Sequence, residues 1–230
     1  MKDITIAIDG FSSTGKSTIA KLVAKELGYV YVDSGAMYRA ITYFAMKNGI
    51  ISTDYFNREL LISELPNAQV SFKFNDDLGF AEVYLNTENI EKNIRTLEVS
   101  NLVSIVAAVP EVRAQLVKIQ KHIGQNKAVV MDGRDIGTVV FPDAELKIFM
   151  TASAETRALR RYNEIKNNGE KISFEAVLEN VQKRDHLDST REDSPLMKAD
   201  DAIAIDNSNA TIEEQFEDIL KLVKSILNNK

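Results

Sequence analysis

The stretch Gly10-Phe11-Ser12-Ser13-Thr14-Gly15-Lys16-Ser17 constrains this chain more than any other. It reads G-x-x-x-x-G-K-S, the pattern of a phosphate-binding P-loop. Just before it, Ile4, Ile6 and Ile8 alternate with Thr5 and Ala7, which predicts a buried strand. Just after it, Ile19, Leu22, Val23 and Leu27 recur at helical spacing, opposite Lys21, Lys25 and Glu26. Strand, loop and helix in that order is the context the motif requires. Small residues let backbone N–H groups converge on phosphate oxygens, and the positive end of the helix adds to the attraction. Lys16 is placed to reach the outer phosphates, and the Ser17 hydroxyl to bind Mg2+. These residues alone leave open a Gly/Ser-rich turn that binds nothing.

The chain has 230 residues, enough for one large domain or a core with inserts. Its net charge of −6 argues against a nucleic-acid polymer or a membrane surface as partner. Any anionic ligand must then be held by local arginine clusters. There is no cysteine, which excludes disulfides, zinc–thiolate sites and thiol nucleophiles. No apolar run approaches the ~18 residues of a membrane span. The strand-like start, with Asp3 and Asp9, lacks a signal-peptide layout. A cytoplasmic enzyme is expected.

Along the chain, Tyr29 to Asp33 reads as a second strand and Ala36 to Asn48 as a helix closed by Gly49. From about Ser52 to Arg95 the pattern changes. Val70, Phe72 and Phe74 alternate with polar residues, Asn75 to Gly79 reads as a turn, and Ala81, Val83 and Leu85 alternate again. This predicts a small antiparallel insert, either filler on the sheet edge or a cover for substrate. Helices are predicted over Leu97–Val109, Pro110–Ile123, Glu155–Lys166, Ser173–Ser189 and Thr211–Leu227, and strands over Ala128–Met131, Leu146–Met150 and Ala202–Asp206. Asn167 to Gly169 reads as a turn. The expected fold is α/β of the P-loop NTPase kind. It has a five-stranded parallel sheet with helices on both faces, a β insert and a helical lid.

Ligands in such sheets sit beyond the carboxyl ends of the strands. Asp33, Asp132, Arg134 and Asp135 fall at such ends. Asp132 follows the apolar run Ala128–Met131, so it either holds Mg2+, directly or through water, or caps a turn. Arg157, Arg160 and Arg161 fall at i, i+3 and i+4 and share a predicted helix face. They form either a salt-bridged surface, with Glu164 pairing Arg160 or Arg161, or an arm that meets a transferring phosphoryl group. Arg184, Asp188 and Arg191 also share one predicted face, either as an intrahelical pair or as a phosphate and hydroxyl grip. His122 and His186 have no ligand-spaced companions and are read as surface residues. This inventory fits phosphoryl transfer, which needs positioning, a metal and cations but no strong covalent nucleophile.

Nearly end to end, the chain resembles bacterial cytidylate kinases, the CMP kinase branch of the nucleoside monophosphate kinases. The resemblance is carried by Ile8-Asp9-Gly10, Gly15-Lys16-Ser17-Thr18, Asp33-Ser34-Gly35-Ala36-Met37-Tyr38-Arg39, Ile94-Arg95-Thr96, the long run from Asp132 to Ala144, and Lys183-Arg184-Asp185. It implies a single kinase domain, with residues 52–96 as the acceptor-binding region and 154–170 as the lid. It implies ATP on Gly10 through Thr18. It implies a grip on the CMP phosphate from Ser34, Arg39, Arg134 and Arg191, cytosine reading by Ser104, Arg113 and Asp135, and ribose and phosphate contacts from Arg184 and Asp188. It also implies transition-state contacts from Arg157, Arg160 and Arg161. The family's loop usually reads Gly-Pro-Ser-Gly where this chain has Gly10-Phe11-Ser12-Ser13, so the backbone angle at Ser13 is in question. ATP is still expected to bind.

The resulting expectation is a monomeric ATP:CMP phosphotransferase that uses Mg2+ and also accepts dCMP. Rival readings are a P-loop kinase for another acceptor, a nucleotide switch, and a silent nucleotide-binding module. The Asn-Lys-x-Asp guanine reader usual in GTPase-type switches does not occur in the chain.

Overall fold

A computed structural model of the chain describes residues 3–75, 77, 79–167, 169 and 172–228. The chain opens with β1 (Thr5–Gly10), α1 (Lys16–Leu27), β2 (Val30–Asp33) and α2 (Ser34–Lys47). The insert follows as β3 (Ile51–Ser52), β4 (Tyr55–Phe56), α3 (Arg58–Glu64), β5 (Val70–Asn75), β6 (Phe80–Leu85) and β7 (Glu88–Asn89). The core resumes with α4 (Leu97–Ala107), α5 (Pro110–Ile123), β8 (Val129–Gly133) and a π-helical turn at Ile136–Val140. It closes with β9 (Leu146–Thr151), α6 (Ala154–Asn167), α7 (Phe174–Thr190), β10 (Ile203–Asp206) and α8 (Ile212–Asn228).

One parallel sheet runs β10-β9-β1-β8-β2. Its middle strand β1 is buried along its whole length, as strands covered on both faces must be. Alternation sends Ile6 and Ile8 to one face, where they meet Ile19 and Val23 of α1 and Ile219 and Val223 of α8. Ala7 points to the other face, with Val32, Met131, Ile136 and Val140. Burying each such isoleucine contributes roughly 1.5–3 kcal/mol. The chain goes from β1 to β2, returns to β8 between them, then crosses to β9 and β10. That reversal opens a crevice at the carboxyl ends of β1, β8 and β2.

The insert is richer than a hairpin. β5 and β6 pair as expected, with Phe72 opposite Val83, but β7 adds a third strand, β3 and β4 form a separate ribbon, and α3 lies between. Two-residue strands are too short to show a period. Asp76 and Leu78 of the expected turn lie outside the described residues, as do Asn168 of the later turn and residue 170 of the lid range. Val70, Val83, Leu85 and Ile90 pack with α2, α4 and α5 in one apolar cluster, so the insert is seated on the core.

Candidate active site

The phosphate cradle begins where β1 ends. A Cβ on Gly10 would lie 2.1 Å from the Met150 carbonyl oxygen, so a side chain cannot be accommodated there. Ser13 has φ 60°, in the left-handed region. The departure from the family's loop therefore falls on a position whose geometry favours glycine. α1 starts at Lys16 with no side-chain cap and no acidic residue in its first turn, which leaves its first amides and its dipole for an anion. Lys16 Nζ curls over the loop to the Phe11 carbonyl at 2.6 Å and Thr14 Oγ1 at 3.3 Å. Burial, then nearby Arg134, pulls its ammonium below the usual range, against Asp132 and Asp9. A bound phosphate would supply the missing countercharge.

Asp132 does not cap its own turn. Its Oδ2 accepts from Ser17 Oγ at 2.9 Å and its Oδ1 from the Tyr31 hydroxyl at 2.8 Å, while Ser34 Oγ donates to its backbone carbonyl at 2.7 Å. Asp33 is the residue that caps, accepting from Ala36 N at 2.8 Å. Its other oxygen meets Arg39 at 2.8 Å and Arg95 at 3.1 Å. Burial alone would raise Asp33, but Arg39, Arg95 and the cap hold it well below the usual carboxylate range. On the strand before the cradle, buried Asp9 accepts from Ile136 N at 2.8 Å and Gly137 N at 2.7 Å. It thereby ties the loop carrying Arg134 and Asp135 to β1. Burial pushes Asp9 up to about 6 despite those two bonds.

Beside the cradle stands a wall of arginines and carboxylates. Asp188 accepts from Ser104 Oγ at 3.0 Å and from Arg134 Nε at 3.0 Å, and Arg184 donates to Ser100 Oγ at 2.9 Å. The intrahelical Arg184–Asp188 hydrogen bond raised by the spacing is therefore not formed. α7 stops at Thr190, so Arg191 lies past the helix rather than on its face. It donates to the Ser194 carbonyl and stands 3.9 Å from Asp135. Arg113, only 2% exposed, pairs closely with Asp135 and donates to the Ala107 carbonyl. Arg134, Arg184 and Arg191 together hold Asp188 below the usual range against its burial.

Ser12 to Thr18, Asp132, and every residue of the proposed CMP set line a single cleft of about 350 Å3. Eight cationic side chains face five carboxylates around it, in a chain of net charge −6. The Nε atoms of Arg39 and Arg184 and the Tyr38 hydroxyl are buried there without hydrogen-bond partners. Donors left in that state are costly unless a ligand meets them.

The three arginines of α6 do not share one environment. Arg157 is buried, its guanidinium spent on the Ala152 and Ser12 carbonyls and on a two-pronged pair with Asp185. Arg160 binds Asn207. Arg161 alone of the three lines the main cleft, and it pairs with Glu164 at 2.9 Å. The reason is that α6 packs between the cradle and α7, so each side of it meets something different. Sequence reasoning missed the roles of Asp9, Tyr31, Ser100 and Asn207, and quoted Arg95 only within a motif. Asp9 was signalled by a charge near the end of a buried, isoleucine-rich strand; nothing local signalled Tyr31.

Ser17 and Asp132 offer two hard oxygen donors, a hydroxyl and a carboxylate, beside the cradle. That donor set suits Mg2+, which takes few protein ligands and keeps water and phosphate oxygens. Among the described residues no group of three or more His, Cys, Asp or Glu is placed to hold a metal, and no helix is long and apolar enough to cross a membrane.

Comparison with known proteins gives a consistent result. A family model described as cytidylate kinase matches residues 6–225. The chain is 66% identical to a cytidylate kinase of Flavobacterium johnsoniae, covering 99% of both chains. It is 56% identical to one of Bacteroides fragilis, over 94% of this chain and 95% of the relative. The crystal structure of an uncharacterized protein from Eubacterium ventriosum superimposes with a TM-score of 0.51 at 13% identity, over 97% of this chain and 99% of that one. That likeness bears on the fold alone.

Proposed function

The chain belongs to the cytidylate kinase family, and from that premise we propose that it transfers the γ-phosphoryl group of ATP to CMP, giving CDP and ADP, with dCMP as a second acceptor. The observation that carries the reading is the cleft itself. An anion cradle and a cation-rich wall share it, so two phosphorylated ligands can meet end to end.

ATP lays its phosphates on Gly10 to Thr18. Its base occupies a second cleft of about 260 Å3 behind the cradle, lined by Ile19, Arg160, Asn207, Ala210, Ile212 and Gln215. Ser17 and Asp132 would hold Mg2+, which supplies charge neutralisation on the transferring group when bound. Ser34, Arg39, Arg134 and Arg191 hold the acceptor phosphate, and Arg184 and Asp188 its ribose side. Ser104, Arg113 and Asp135 read cytosine, because paired polar groups reject a base edge that leaves them unmatched. Lys16 leaves the Phe11 carbonyl for the outer phosphates, and Arg161 enters from α6. Arg157 acts by fixing the cradle's backbone at Ser12.

Residues 52–96 serve as the acceptor-binding region and residues 154–170 as the lid, within one kinase domain. The lid's helix α6 packs through Ala158 and Ile165 against Val177 and Val181 of α7. Closure would exclude water from the γ-phosphoryl group. The protein acts as a cytoplasmic monomer.

ADP release measured with CMP, dCMP, UMP, AMP and TMP in parallel tests the reading. CMP is expected to give the highest kcat/KM, followed by dCMP. Equal turnover of all five would refute the cytosine assignment.

A further inference from the structure

The Tyr31 hydroxyl and Ser17 Oγ cap the two oxygens of one carboxylate, at 2.8 Å from Asp132 Oδ1 and 2.9 Å from Oδ2. The terminal torsion of an aspartate is broad, so a carboxylate without such partners samples many orientations. With a donor on each oxygen it has one. The Tyr31 ring is itself held. It is 8% exposed and packs with Ile6, Ile19 and Val130. Lys21 Nζ sits 5.6 Å from its centroid and 3.6 Å from that of Phe80 in β6. Packing alone does not explain the hydroxyl, since phenylalanine would fill the same space and require no acceptor.

We propose that Tyr31 is a positioning residue for the metal carboxylate. Its hydroxyl fixes Asp132 in the rotation that presents one oxygen to Ser17, the rotation in which the pair would hold Mg2+. Groups that orient a metal-binding side chain from behind typically influence metal affinity about 10–100-fold. The inference rests on the reading of Ser17 and Asp132 as the Mg2+ site.

The test is the metal-dependent gain in ATP affinity, measured by calorimetry with EDTA and with excess Mg2+. For Tyr31→Phe, metal-free affinity is expected to stay within about twofold while the gain from Mg2+ falls about tenfold. The Mg2+ concentration for half-maximal turnover should rise in step, excess Mg2+ should restore most of kcat, and KM for CMP should hold. If Tyr31→Phe does not fold, Tyr31→Leu carries the same measurement. On an Asp132→Asn background the effect of Tyr31→Phe should vanish. A full gain retained without the hydroxyl, or an undiminished effect on the Asp132→Asn background, would overturn the proposal. An unsubstituted protein with no gain from Mg2+ would instead refute the metal site itself.

Discussion

The two halves of the cleft are built on opposite plans. The cradle comes from one contiguous stretch, Gly10 to Thr18, and offers uncapped backbone amides and one lysine. The wall proposed for the acceptor is gathered from β2, α2, α4, α5, the loop after β8, and α7, and its Arg39, Arg113 and Arg134 are already paired with Asp33, Asp135 and Asp188. A local device asks little of the remaining fold. A distributed one places buried charges on several elements, and each must keep its partner or destabilise the protein. Substitutions in the cradle should therefore act on rate, and substitutions in the wall on acceptor binding and stability together.

Lys16→Ala gives the largest effect. It is expected to lower kcat about 10²–10³-fold, the scale for losing one charge-stabilising donor. KM for CMP and the urea midpoint should change little. A rise in KM for CMP of comparable size would mean that the halves are not separable. Asp188→Ala comes next. It leaves Arg134 and Ser104 without their shared acceptor and removes the negative charge beside Arg184. Breaking a fully buried pair costs about 3–5 kcal/mol, and partial exposure of Arg134 lowers the expected loss to about 2–3 kcal/mol. Urea denaturation would read that loss, together with a raised KM for CMP.

The third effect is a pH dependence confined to the wall. Folding depresses the Asp33 carboxyl, so below about pH 4 the unfolded chain takes up a proton that the folded chain still refuses. Its contribution is present above that pH and is lost as pH falls further. Asp33→Asn should retain the helix cap, since asparagine caps as well as aspartate. Denaturation at pH 5 and pH 3 should then show a smaller acid-induced loss in the variant than in the parent. Equal losses would mean that Arg39 and Arg95 do not depress Asp33.

This division also explains what could be read from the sequence. The order of the core strands and helices was legible because each is a local pattern, from the Ile4/Ile6/Ile8 alternation to the apolar run before Asp132, whereas β3, β4, α3 and β7 of the insert are too short to show one. The cradle was legible because its residues are consecutive. Helical spacing correctly put Arg157, Arg160 and Arg161 near one another, but it carried no information about packing on both sides of α6, which separates their roles. In the wall, helical spacing raised Arg184, Asp188 and Arg191, and strand ends raised Asp33, Arg134 and Asp135. Ser34, Arg39, Ser104 and Arg113 came only through resemblance, since nothing near Asp188 in the chain indicates Ser104 or Arg134. Partners such as Tyr31 for Asp132 lie on neighbouring strands in register, Val32 beside Met131 and Asp33 beside Asp132. That adjacency is a property of the sheet.

Asn207 links the cradle to the far end of the chain. Its side-chain amide donates to the Thr14 carbonyl and, at 2.8 Å, to Gln215 Oε1, and its own oxygen accepts from Arg160 at 3.1 Å. A signature written in consecutive residues thus has its rim fastened by a side chain 193 positions away, so closing that rim is a long-range event in folding.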